Sequence, residues 1–392
     1  MSIVYSFALP TTGVFSYSQC ISSSDYYQLL ADADTHRARM RDVLKRAKRK
    51  NVQDVLEVVK VIEDYIPYAF TIKTGLETGE LLLDTEIVTS WRLPLSAEKI
   101  HVVEAKRVQM PTIYFEVSMT LLAYAVSLLA LAEEVYAAGS QDRWKHCTTH
   151  LLAAQSVLLY ISTHQMELSS PAPIDLQPLT LAPLLNLISG SLHLLILYKP
   201  STTSAALLTR VAIFALDKFT AANSLAPSQL LNTGLDHWLR DAKTLTTGLV
   251  QKYMAIDREA KHEVGSAIAL CASARADLKP NLKTKLLAKP SMLSLDKDKE
   301  DDATGLQTTI KGLRRELEEL EANYKAQNDR VMFQKIPDAK DVKRNWPSGR
   351  EVVTLRGEWI PPKPIAGFDG TDDGVSAAPE TSRTYSGQGQ YY

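Results

Sequence analysis

Few residues of this chain have the types and spacing that chemistry needs. His146 and His150 stand four apart on a predicted helix with Cys147 between them, a spacing that sets two imidazoles on one face as metal ligation requires. The run reads His-Cys-Thr-Thr-His, so the glutamate of a zincin is missing and no third donor lies nearby; ordinary helix-surface histidines are the expectation. The acidic run Asp296, Asp298, Glu300, Asp301 and Asp302 is interleaved with Lys297 and Lys299, which fits a solvated linker better than a magnesium cluster. No nucleophile elbow, dinucleotide fingerprint or Walker-type phosphate loop occurs. The expectation is a protein that is not an enzyme, with no catalytic residue, no cofactor and no metal.

One segment has a charge that is not balanced locally. Arg37, Arg39, Arg41, Lys45, Arg46, Lys48, Arg49 and Lys50 face only Asp42, and the apolar positions Met40, Val43, Leu44 and Ala47 fall at i, i+3, i+4 and i+7 among them. A basic amphipathic helix of this kind can sit on anionic lipid, each cation near the surface adding about 1 kcal/mol. These cations are the candidate membrane-facing cluster, set against a solvated face over a packed stripe. Elsewhere Lys plus Arg (44) offset Asp plus Glu (45), which leaves no global field to drive nucleic-acid binding. Cys20, Cys147 and Cys271 lie far apart, against a disulfide framework and for a reducing, cytoplasmic setting.

The elements that must position these residues are mostly helical. Ile3, Tyr5 and Phe7, then Phe15 and Tyr17, suggest short strands; Thr35 is read as the cap of a first helix, and a second runs from Val52 to about Leu76, kinked at Pro67. Residues 85–95 around Trp91 read as a strand. Further helices are legible at about 112–138, 141–161, 179–198, 202–222, 234–256 and 257–278. The most apolar stretch, Val117 to Ala132, is 16 residues between Glu116 and Glu133, short of the roughly 20 a bilayer demands, so it reads as a buried core helix. Leu306, Ile310, Leu313, Leu317, Leu320 and Tyr324 alternate by fours and threes, the seam of a long helix. From Gly367 to Tyr392 aliphatic residues nearly vanish, which predicts a flexible tail. The succession suits an irregular helical solenoid, a fold that presents surfaces.

Tyr114-Phe115-Glu116, Leu121-Leu122-Ala123, Ala153-Ala154, Asp175-Leu176, Trp238 with Lys243, Gly265 to Leu270, Asn328-Asp329 and Val331-Met332-Phe333 before Ile336-Pro337 form an ordered string. That string resembles the Bro-type domain family over about residues 2–362. Phe7 to Thr12, Thr35-His36-Arg37, Arg41 to Lys45, Tyr65 to Tyr68, Trp91-Arg92 and Pro347 to Glu351 are similar to the fungal pH-response branch of that family. The chain departs from ALIX-like members where their central helix carries an Ala/Gln-rich run, having Ser189-Gly190-Ser191-Leu192-His193 instead.

The resemblance implies a mostly α, boomerang-shaped helical solenoid with a tetratricopeptide-like core and a few short strands near both ends. It implies a Bro-type domain over 1–363 and a flexible tail over 364–392. It also implies a non-catalytic adaptor of alkaline pH signalling that grips a helix of an ESCRT-III filament subunit, works with other pH-signalling components, and is recruited to cortical or endosomal membrane sites. That route ends in proteolytic activation of a transcription factor. An endosomal cargo-sorting adaptor of the same family, or an all-helical enzyme, are the competing readings. By pattern alignment, Leu187, Ile188 and Leu270 are the expected partner-binding anchors.

Overall fold

A computed structural model describes residues 3–23, 25–48, 54–95, 107–164, 172–199, 203–279, 305–343, 346–355 and 357–365. The acidic run at 296–302, Arg49, Lys50 and the tail beyond Ile365 lie outside the described residues. Long helices dominate: α1 (Tyr27–Lys48), α2 (Val55–Thr78), α3 (Ile113–Ala137), α4 (Arg143–Thr163), α5 (Pro178–Tyr198), α6 (Ala205–Leu225), α7 (Asp236–Ala260), α8 (Val264–Asp277) and α9 (Gly305–Gln327). Successive helices pack on one another through the chain, and α9 returns onto α7 and α8. Nearest-neighbour stacking of this kind is what a helical solenoid consists of.

The first helix starts well before the expected cap. Ser23 accepts from the Tyr26 backbone N–H at 3.1 Å, and Thr35 lies inside the helix, its hydroxyl donating to the Ala31 carbonyl at 2.9 Å. The buried stripe runs Leu30, Ala33, Arg37, Met40 and Leu44, so a cation occupies a core position. Pro67 sits within α2, where the Thr71 hydroxyl donates to the Pro67 carbonyl at 2.7 Å.

Short strands close the N-terminal side. β1 (Thr11–Thr12) pairs antiparallel with β4 (Thr89–Arg92), which pairs antiparallel with β5 (Val108–Met110); β2 (Ile21–Ser22) pairs with β3 (Leu82–Leu83). Every described strand precedes α3, so of the short strands expected near both ends only those on the N-terminal side form among the described residues, and Val331–Phe333 is not a strand. The Asn328 side chain supplies what a strand partner would have: its amide donates to the Gln334 carbonyl at 3.0 Å and its oxygen accepts from the Gln334 N–H at 2.9 Å. With the backbone satisfied in a turn, no ladder is needed.

The helix expected to be core is core. α3 buries residues on every side, among them Phe115, Leu121, Leu122, Val126 and Leu129, and 94% of its most apolar window lies inside the fold. α5 is likewise long and apolar enough to cross a bilayer, with 72% of its window buried. Its Ser189-Gly190-Ser191 run marks a close helix crossing, since a Cβ on Gly190 would stand 2.7 Å from the Phe219 ring of α6.

Candidate functional site

Leu187, Ile188 and Leu270 are 1%, 0% and 0% exposed, so the residues expected to anchor a partner are core. An apolar residue on a helix hemmed in by two neighbours has no face left for a ligand. Arg37 likewise leaves the basic cluster, being 1% exposed. Its Nε donates to Glu116 Oε1 at 2.8 Å and its Nη2 to Glu116 Oε2 at 3.2 Å and Thr12 Oγ1 at 2.8 Å, while Nη1 reaches the Gly13 carbonyl at 3.1 Å. Trp91 Nε1 donates to Glu116 Oε2 at 2.7 Å, Tyr65 OH to Glu116 Oε1 at 3.1 Å, and the Tyr17 and Tyr65 hydroxyls meet at 2.6 Å. Burial first, with the Glu116 charge second, pushes the Tyr17 and Tyr65 phenols above their ordinary range, so both stay protonated donors. This junction ties β1, α1, α2, β4 and α3 into one body, a structural role for residues that carried the pH-response resemblance.

Of the other cations of the cluster, Arg39, Arg41, Lys45 and Arg46 are described, and they lie at the surface. Arg39 and Arg46 are solvent-facing, with Asp64 at 3.7 Å and Glu57 at 3.1 Å respectively. Lys45 is exposed, and Arg41 pairs with Asp42 at 2.8 Å. Met40, Val43 and Leu44 face inward as expected. His146 is exposed and His150 half-buried, Cys147 points into the core, and no group of metal-binding side chains forms among the described residues.

What the tertiary structure offers in place of the expected anchors is a seam. Residues 346–355 and 357–365 form a strap without helix or strand that crosses α6, α5, α4 and α2 in reverse chain order. On α6, the Arg350 N–H donates to the Arg210 carbonyl at 2.9 Å and Arg210 Nε to the Ser348 carbonyl at 3.1 Å. On α5, the Val352 N–H donates to His193 Nε2 at 3.1 Å. On α4, the Trp359 N–H donates to the Ser156 carbonyl at 3.2 Å, and its indole packs edge-on to Tyr160 and against Phe70. On α2, the Ile365 N–H donates to Thr71 Oγ1 at 2.8 Å.

Where strap meets α6, apolar surface is left open. Leu207, Phe214 and Lys218 share an edge of α6 with Arg210, all half-buried, and Val352 is 40% exposed beside them. Gly349 allows the contact, because a Cβ there would stand 2.9 Å from the Phe214 nitrogen. The Lys218 ammonium lies 5.2 Å over the Phe214 ring. Arg350 and Glu351 are exposed along the strap, so the seam has an apolar middle and a charged rim, the anatomy of a protein-docking patch. Periodicity could not reveal it, because half of it belongs to an irregular segment; the one sequence signal is His193, a lone histidine in an apolar helix.

The chain matches the BRO1-like domain over residues 84–348. It is 29% identical to the pH-response regulator protein palC of Yarrowia lipolytica, across 100% of both chains. Among solved structures it resembles the BRO1 domain of ALIX in a complex with CHMP4C, with a TM-score of 0.66 and 16% identity, covering 94% of this chain and 98% of that one. A Bro1 domain structure described as a basis for endosomal targeting gives a TM-score of 0.61 and 16% identity over 91% of this chain and 94% of that one.

Proposed function

This chain belongs to the BRO1-like domain family, and on that premise we propose that it is a non-catalytic adaptor of a fungal pH-response pathway that grips a helix of an ESCRT-III filament subunit along the seam between α6 and the strap. The pathway follows the palC relative; the partner class follows the CHMP4C complex of the ALIX domain. The observation that carries the reading is the seam itself, apolar at Phe214 and Val352, rimmed by Arg210, Lys218, Arg350 and Glu351, and held rigid by backbone hydrogen bonds. An amphipathic helix presents anchors at i, i+3 or i+4, and i+7 to such a groove, and its acidic residues would meet the cationic rim.

Recruitment to endosomal or cortical membrane then runs through this partner, with the exposed α1 cations adding weak attraction to anionic lipid. The Bro-type unit ends near residue 363, and deleting 367–392 leaves the melting temperature unchanged to within about 1 °C. The decisive experiment is a pull-down of the full chain against ESCRT-III subunits and against ubiquitin-pathway partners. Val352→Asp places a charge in the apolar middle and reduces ESCRT-III affinity tenfold or more, with far-UV helicity unchanged. Unchanged ESCRT-III binding by the folded variant refutes the seam; capture of ubiquitin-pathway partners alone favours the cargo-sorting reading.

A further inference from the structure

We propose that His193 is a pH-sensitive latch: its neutral Nε2 holds the Val352–Val353 stretch of the strap against α5, and protonation of that nitrogen releases the strap from the seam. The geometry fixes the tautomer. Nδ1 lies 2.8 Å from the Ser189 carbonyl, an acceptor only, so Nδ1 carries the hydrogen and the lone pair is on Nε2. Into that lone pair the Val352 N–H donates at 3.1 Å, and the Val353 N–H approaches at 3.5 Å. An imidazolium has two donors and no acceptor, so on protonation an N–H would face the strap's own N–H groups.

The ring is fully buried, and α6 closes it in through Phe214, 4.4 Å away between ring centres. The charged groups acting on it are Glu351 of the strap, which favours the cation, and Lys218 of α6, which opposes it. Burial is the larger influence and holds the imidazole below its ordinary value, while the Ser189 carbonyl pulls the other way. The latched form therefore binds fewer protons than the released form. Latching is complete above the ordinary histidine value of 6.5 and is lost as pH falls below it, by at most about tenfold per pH unit. The consequence for docking rests on the seam reading: release of Val352 removes one wall of the seam, so partner affinity rises toward alkaline pH.

The latch is tested on the full chain without partner, by hydrogen exchange at the Val352 amide corrected for intrinsic rate, between about pH 5 and 8. Expected is a protection factor that falls below about pH 6.5 while α3 amides keep theirs, and a flat profile in His193→Gln, which retains an acceptor and cannot titrate. No decline in the unmodified protein, or the same decline in His193→Gln, overturns the latch. Should the variant fail to fold, ring nitrogen shifts of His193 in the unmodified chain decide instead: its titration midpoint must coincide with the loss of Val352 protection, and a mismatch overturns the proposal. A parallel affinity series with an ESCRT-III subunit separates the two readings, since absence of binding at every pH rejects the seam while the exchange data still judge the latch.

Discussion

Replacing Glu116 by Gln preserves the volume of the buried junction and removes its charge. The carboxylate accepts from Arg37 Nε and Nη2, Trp91 Nε1 and Tyr65 OH, so an amide, with one oxygen in place of two, turns its NH2 toward at least one of these donors. Arg37 would then be a cation 1% exposed with no counter-charge across from it. Breaking a buried pair this way costs about 3–5 kcal/mol. Spread over an unfolding entropy of about 2.1 cal/mol/K per residue for the roughly 363 residues of the Bro-type unit, that is a fall in melting temperature of about 4–7 °C. Calorimetry on the full chain measures it, with Arg37→Met and the double variant completing a cycle. The double variant should lose less than the two single losses together, because removing the guanidinium also removes the stranded charge. A Glu116→Gln protein melting within about 1 °C of the unmodified chain, or strictly additive losses, would refute the view that this junction clamps the sheet to the helices.

Leu270→Ala should cost about 2–5 kcal/mol in chemical denaturation while leaving partner affinity of the folded fraction intact, the opposite of what a surface anchor would show. Reversing Arg39, Lys45 and Arg46 to Glu should abolish co-sedimentation with anionic vesicles at low salt and leave ESCRT-III binding in place; an unmodified chain that does not co-sediment shows instead that α1 is merely a solvated face. Burial pushes the Cys147 and Cys271 thiols up to about 12, so at pH 8 about one in ten thousand is thiolate and a thiol reagent should label neither until the protein unfolds.

Helix existence was legible because the period of apolar residues is a local property. The seam at Leu306 to Tyr324 became α9 with Leu306, Ile310, Leu313 and Leu317 buried, and the bracketed apolar run became the buried middle of α3. The residues resembling the BRO1 family were legible too, and several of them, Arg37, Tyr65, Trp91 and Glu116, are joined by hydrogen bonds across 25 to 79 positions of chain. Arg37 even carried its own signal, falling on the stripe of Leu30, Ala33, Met40 and Leu44, where a cation is tolerated only with a buried partner.

What the sequence left open is which face of each helix is covered, because that depends on neighbours far along the chain. Leu270 and Val352 are equally apolar residues, yet one is enclosed by packed helices and the other stands 40% exposed on a strap laid over α5 and α6. No periodicity exists in an irregular segment, so its path was decided by tertiary hydrogen bonds to Arg210, His193, Ser156 and Thr71. Local pattern determined the helices, and long-range packing decided where surface remains for a partner.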